Sequence, residues 1–207
     1  MARGSVDESF LGCPGLLLKA IRFISTERDI VAAKRHYLLG SERESHITDL
    51  TAIVDLVSSF DCYKALPEIR REDPQPDQRN IRYRCALSEV YKIGTLIYGK
   101  RVLAMLTGEE INLDELVSKL LESLTILQNE QGLLNCALWP LFIAGLECRS
   151  PDQRQYFVTH LEKFWMATRC WNAINAAKLL EEHWQLDKER LCWPFDHGRF
   201  GRVWLLM

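Results

Sequence analysis

From Leu133 to Cys148 the chain is apolar at almost every position, reading Leu133-Leu134-Asn135-Cys136-Ala137-Leu138-Trp139-Pro140-Leu141-Phe142-Ile143-Ala144-Gly145-Leu146-Glu147-Cys148. A helix that is apolar on all sides is a buried one. The run is too short and too interrupted to span a membrane. Pro140 has no backbone N–H, so a helix running straight through would leave the Cys136 carbonyl without its partner and kink there. Gly145 lowers helix propensity but admits another backbone at close range.

Helical spacing repeats on both sides of this run. Pro14 suits a first helical turn, after which Leu17, Ile21 and Ile24 share a face. Residues 27–39 read as a second helix, with Gly40 and Ser41 as its stop. Residues 46–60 carry a stripe of Ile47, Leu50, Ile53, Val54 and Val57. Asp73-Pro74-Gln75-Pro76-Asp77 is the clearest loop and a possible internal break. Asp77 then caps a long helix to about Leu106, and Tyr83, Leu87, Val90, Tyr91, Leu96, Ile97, Val102, Leu103 and Leu106 cover more than one of its faces. That breadth suits a central element with neighbours on two sides.

Asn112, with Glu115 three residues on, reads as a near capping box. The stripe behind it is Leu113, Leu116, Val117, Leu120, Leu121, Leu124 and Leu127. Ser150-Pro151-Asp152-Gln153 is a second start signal, followed by Phe157, Leu161, Phe164, Trp165 and Thr168 on one side. Ala173, Ala177, Leu180 and Trp184 repeat the pattern. Asp187 caps one more turn, and Val203 to Met207 end the chain on bare apolar residues. No segment alternates as a strand would. The expectation is an all-α fold: one domain over residues 1–207, an irregular array of about seven to nine helices around a buried Trp/Leu-rich central helix.

Composition narrows the function. With 47% hydrophobic and 26% charged residues, the 207-residue chain has the make-up of an ordinary globular domain. Its net charge of −2 provides no electrostatic footprint for direct nucleic-acid binding. The N-terminal residues lead into no apolar signal core, so the chain is not expected to be secreted. Cys13, Cys62, Cys85, Cys136, Cys148, Cys170 and Cys192 are scattered and odd in number, and no two form a C-x-x-C pair. They read as small buried hydrophobes rather than a disulfide framework or a structural zinc site.

Candidate chemistry is thin. Gly94-Thr95-Leu96-Ile97-Tyr98-Gly99-Lys100-Arg101 approaches a phosphate-binding loop. Arg101 stands where Ser or Thr must bind magnesium, and the segment lies in a helical pattern rather than after a strand. Glu181-Glu182-His183 faces several directions and reads as a solvated helix end. Glu109-Glu110 and Asp114-Glu115 surround a helix start, where carboxylates favour the dipole. No residue is assigned a catalytic, cofactor-binding or metal-binding role, and no cofactor is expected.

One stretch carries more. Residues 138–147, Leu-Trp-Pro-Leu-Phe-Ile-Ala-Gly-Leu-Glu, resemble the signature of the fungal-specific transcription factor domain, the C-terminal regulatory part of many binuclear zinc-cluster transcription factors. The likeness continues with Arg154 after a short acidic link and with residues 172–184, ending Leu180-Glu181-Glu182-His183-Trp184. Leu11-Gly12-Cys13-Pro14 is similar to a loop that opens a helix in the middle of that domain. The resemblance implies an all-α fold, correspondence to the latter half of the domain, and nuclear work in regulating a metabolic or secondary-metabolite pathway. The family's six closely spaced zinc-cluster cysteines have no counterpart here. The expected function is a regulatory or protein-interaction module without DNA binding of its own. It would meet a protein partner, or a second copy, through apolar surfaces: the Leu17, Ile21 and Ile24 face, the two sides of the long helix, and the Val203-Trp204-Leu205-Leu206-Met207 end. The alternative is a helical-scaffold isomerase or cyclase with an apolar pocket lined by Trp139, Trp165, Trp171 and Trp184, since aromatic faces stabilise cations.

Overall fold

The computed structural model describes residues 13–34, 40–64, 78–128 and 130–185. Among them the helices are α1 (Gly15–Lys34), α2 (Gly40–Ser58), α3 (Gln78–Thr107), α4 (Asp114–Leu127), α5 (Gln131–Leu134), α6 (Leu138–Glu147), α7 (Pro151–Thr168) and α8 (Trp171–Gln185). A single 3-10 turn, Asn135–Ala137, joins α5 to α6. No strand occurs among the described residues, and seven of the helices have ten or more residues. The all-α expectation is met.

The long α3 is the element on which the others are laid. Helices α1 and α2 pack on one side of it, and α4, α5 and α6 on the other. Its apolar surface is correspondingly wide: Leu87, Val90, Tyr91, Ile97, Val102 and Leu106 are all buried. Two glycines let the neighbours in. A Cβ on Gly99 would stand 2.9 Å from Val54 Cγ2 and 3.1 Å from Ile24 Cδ1. One on Gly94 would stand 3.0 Å from Pro140 Cβ and 3.1 Å from Pro140 Cα. At 3.6 residues per turn the two positions lie about 140° apart around the axis, one for each layer. The helix ends at Gly108, which takes φ +78°. Arg43 of α2 closes that end by donating from Nε to the Leu106 carbonyl at 2.8 Å.

Helices α7 and α8 pack on one another as a hairpin and reach the rest chiefly through α6. Their turn is Arg169, in the left-handed region at φ 56°.

Several local expectations are corrected. Helix α1 is unbroken to Lys34, with no separate helix from residue 27, because neither Gly nor Pro stands between Ile24 and Glu27. Gly40 and Ser41 open α2 rather than stop a helix, six residues before the expected start, and Glu42 supplies the acidic first turn. The apolar run 133–148 is not one helix. The 3-10 turn breaks it, so Pro140 falls in the first turn of α6, where its missing N–H has no intrahelical role. Gly145 receives a side chain, not a backbone: a Cβ there would lie 2.7 Å from Leu180 Cδ1.

Both capping boxes stay open. Asn112, two residues before the helix, accepts at Oδ1 from the N–H of its first residue, Asp114, at 2.8 Å, while Glu115 pairs with Lys119. Leu113 occupies the N-cap position of α4. Ser150 and Pro151 do start α7, but Gln153 turns to Ser118 and Cys148 instead of back to Ser150. Leu17, Ile21 and Ile24 are wholly buried, so the α1 face expected to meet a partner is core. Both sides of α3 are likewise covered by α1, α2, α4, α5 and α6. Residues 73–77, Asp187 and the apolar C-terminus lie outside the described residues.

Candidate functional site

The residues of the signature stretch meet at the end of α6. Trp139, at its start, is buried between two tyrosines of α3. Its ring lies parallel to Tyr91, with centroids 6.2 Å apart, and Tyr98 meets it edge-on at 6.1 Å. Tyr91 also donates its hydroxyl to the Cys136 carbonyl at 2.8 Å. That carbonyl lies in the 3-10 turn that leads into α6. Burial raises the Tyr91 pKa far above that of a free phenol, so the hydroxyl stays a neutral donor.

At the other end, Glu147 and Arg101 form a buried two-pronged ion pair. Arg101 Nε donates to Glu147 Oε1 at 2.7 Å, and Nη2 to Oε2. Opposite charges are tolerated in such a core when each satisfies the other in fork geometry.

The last carbonyls of α6 are closed from α8. Trp184 Nε1 donates to the Gly145 carbonyl at 2.9 Å, and His183 Nε2 lies 3.0 Å from the Leu146 carbonyl, which requires its proton on that nitrogen. Leu180 fills the notch at Gly145. Arg154 of α7 sets its guanidinium 5.4 Å from the centre of the Trp184 ring and reaches the Cys148 carbonyl from Nε at 3.4 Å. Residues 138–147, Arg154 and the 180–184 segment thus form one junction that ties the α7–α8 hairpin to α6. His183 is therefore no solvated helix end, although Glu181 and Glu182 beside it are exposed.

Burial holds several thiols and one histidine neutral. Burial pushes the Cys148 thiol up to about 11, with Arg154 partly opposing. Burial, then neighbouring Cys85, pushes Cys62 up to about 12. Cys85 and Cys136 are also raised by burial. Thiols so shifted are poor nucleophiles and agree with their reading as small hydrophobes. His160 is buried in α7, stacked on Tyr156 at 3.8 Å, with Nδ1 2.9 Å from the Tyr156 carbonyl; burial lowers its pKa.

The four tryptophans do not share one lining. Trp139 packs on α3, Trp184 closes the end of α6, and Trp165 and Trp171 meet each other across the α7–α8 turn at 5.1 Å. The phosphate-loop-like segment is interior α3, and its Arg101 is bound to Glu147. Sequence reasoning passed over Arg101, Glu147, Tyr91 and His183 as partners. A faint signal existed, since Arg101 and Glu147 are opposite charges inside otherwise apolar stretches. No group of three or more His, Cys, Asp or Glu among the described residues could hold a metal ion. No described helix is long and apolar enough to cross a membrane.

A family model described as "Fungal specific transcription factor domain" matches residues 3–202. Neither the curated proteins nor the solved structures give a match to this chain.

Proposed function

The chain belongs to the fungal-specific transcription factor domain family, and on that premise we propose that it is a regulatory, protein-interaction module that reads no DNA itself. The observation that carries this reading is the family match over residues 3–202, with the signature residues engaged in holding helices together. Two sequence features support the absence of DNA reading. The net charge is −2, and the seven cysteines are scattered rather than clustered. The module would act in the nucleus, on genes of a metabolic or secondary-metabolite pathway, through contacts with other proteins. It would correspond to the latter half of the family domain, as a single unit.

Two measurements test the reading together. Fused to an unrelated DNA-binding domain in a fungal host, the chain should change expression of a reporter carrying that domain's site. In a mobility-shift titration the unfused chain should show no site-selective binding at physiological salt. A folded fusion that leaves the reporter unchanged, or tight site-selective binding by the chain alone, would sink the proposal.

A further inference from the structure

Two thiols meet where the end of α2 lies against α3. Cys62 stands in the turn that follows α2, and Cys85 stands two turns into α3. Both are free, and they are only 8% and 4% exposed. Their sulfurs are within reach of a thiol–thiol hydrogen bond. That contact favours negative charge on Cys85 and disfavours it on Cys62, so Cys62 is the donor and Cys85 the acceptor.

The backbone around the pair lets the sulfurs close. Helices α2 and α3 pack on one another. Cys85 is fixed by its helix, but Cys62 is carried by a short turn. There Asp61 Oδ1 accepts from the Tyr63 N–H at 2.9 Å, and the Asp61 carbonyl accepts from the Lys64 N–H at 3.2 Å. Such a turn can bring a sulfur from van der Waals contact to the ~2.05 Å of a disulfide, where two facing helical residues would have to drag their helices. Tyr63, the next residue, is 64% exposed, so the pair lies just beneath the surface, within reach of a small oxidant. Burial and the nearby carboxylates of Asp61 and Glu89 oppose a standing thiolate. The pair is therefore slow, and it closes under sustained oxidant rather than at trace levels.

We propose that Cys62 and Cys85 are a reversible modification site, oxidised by a hydroperoxide to a disulfide that fastens the end of α2 to α3. Cys85, whose thiolate the Cys62 S–H supports, attacks a peroxide oxygen. The O–O bond breaks, the departing hydroxide takes up the thiol proton as water, and Cys85 is left as a sulfenic acid. Cys62 then attacks the Cys85 sulfur. The S–O bond breaks, and a second water leaves with the Cys62 proton. The thiols give up two electrons, and the hydrogen peroxide is reduced to water. The inference is independent of the regulatory reading, because the chemistry is the same whatever the module binds.

The test treats the full, reduced chain with hydrogen peroxide under native conditions and quenches with catalase. The chain is then unfolded in iodoacetamide, and its cysteines are mapped by mass spectrometry. The expected product joins the Cys62 and Cys85 peptides, reverts with dithiothreitol, and leaves the equally buried Cys148 alkylated. The oxidised chain should melt about 5–10 °C above the reduced one, because the bond closes the loop 62–85 in the unfolded state. In Cys62→Ala the sulfenic acid has no thiol to capture it, so dimedone should label Cys85. In Cys85→Ala, labelling of Cys62 should be about tenfold lower or less. Cys62 and Cys85 both recovered alkylated, either one bonded to a different cysteine, or an oxidised chain that melts no higher would overturn the proposal. Equal dimedone labelling of the two variants would overturn the order of attack. Mapping on the unsubstituted chain decides the site even where a variant fails to fold.

Discussion

Tyr91 donates its hydroxyl to the Cys136 carbonyl at 2.8 Å, in the 3-10 turn that leads into α6. The same ring lies parallel to Trp139, the residue before Pro140. Helix α3 thus supplies both the apolar wall for Trp139 and a polar partner for the turn before it. Tyr91→Phe keeps the ring and removes the donor. It is expected to cost about 1–2 kcal/mol, a hydrogen bond lost from a partly buried carbonyl. Chemical denaturation measures it, and an unchanged midpoint would mean that water serves the carbonyl equally well.

The Arg101–Glu147 pair should couple strongly. Glu147→Leu leaves a buried guanidinium without its main counter-charge and is expected to cost about 3–5 kcal/mol. Arg101→Met together with Glu147→Leu should cost less than either change alone, because two apolar side chains of similar volume replace two buried charges. A double-mutant cycle by urea unfolding decides it. Additive effects would show that the pair is solvated.

Gly145→Ala drives a Cβ to 2.7 Å from Leu180 Cδ1, and Leu180 is wholly buried. Overpacking of this kind costs about 1–3 kcal/mol. Leu180→Ala alone costs about 2–5 kcal/mol. The double variant should be more stable than the sum of the two predicts, since the shortened side chain makes room for the methyl. Thermal denaturation of the three variants reads the coupling.

Below neutral pH, His160 should weaken the fold. Burial lowers its folded pKa below the ordinary value of 6.5. The unfolded chain then binds a proton at a pH where the folded chain does not. The stability His160 contributes is fully present above 6.5 and is lost as pH falls from there through the folded pKa. His160→Gln should flatten that part of the stability–pH curve. Equal slopes for the two proteins between neutral pH and the carboxylate range would contradict the assignment.

How much of this was legible depended on the range over which each signal acts. The width of the apolar surface on α3 announced a central helix, because periodicity records burial directly. Ser150-Pro151 marked the start of α7, because proline at the first helical position is a local matter. Local signals failed where a distant partner decided the outcome. Asn112 and Gln153 looked like box residues, but a turn claimed one and Ser118 the other. Arg101 stood out only as the residue that spoils a phosphate-loop match, because its partner Glu147 lies 46 residues on. The α1 face of Leu17, Ile21 and Ile24 looked available to a partner because α2 and α3, which cover it, are named by no neighbouring residue. The signature stretch was recognisable as a pattern, but the reason for its residue types lay in three helices meeting in space.

The α7–α8 hairpin reaches the remainder chiefly through α6, whereas α3 is enclosed by five neighbours. Backbone amides should therefore exchange with deuterated solvent in two tiers. Those of α3 wait for global unfolding, while those of α7 and α8 are released together by a smaller opening that detaches the hairpin from Gly145, Leu146 and Cys148. The hairpin is then a hinged flap with its own equilibrium. Anything that grips its Trp171 end in one state shifts that equilibrium, and the tension is felt where Arg154, His183 and Trp184 hold the Cys148, Leu146 and Gly145 carbonyls.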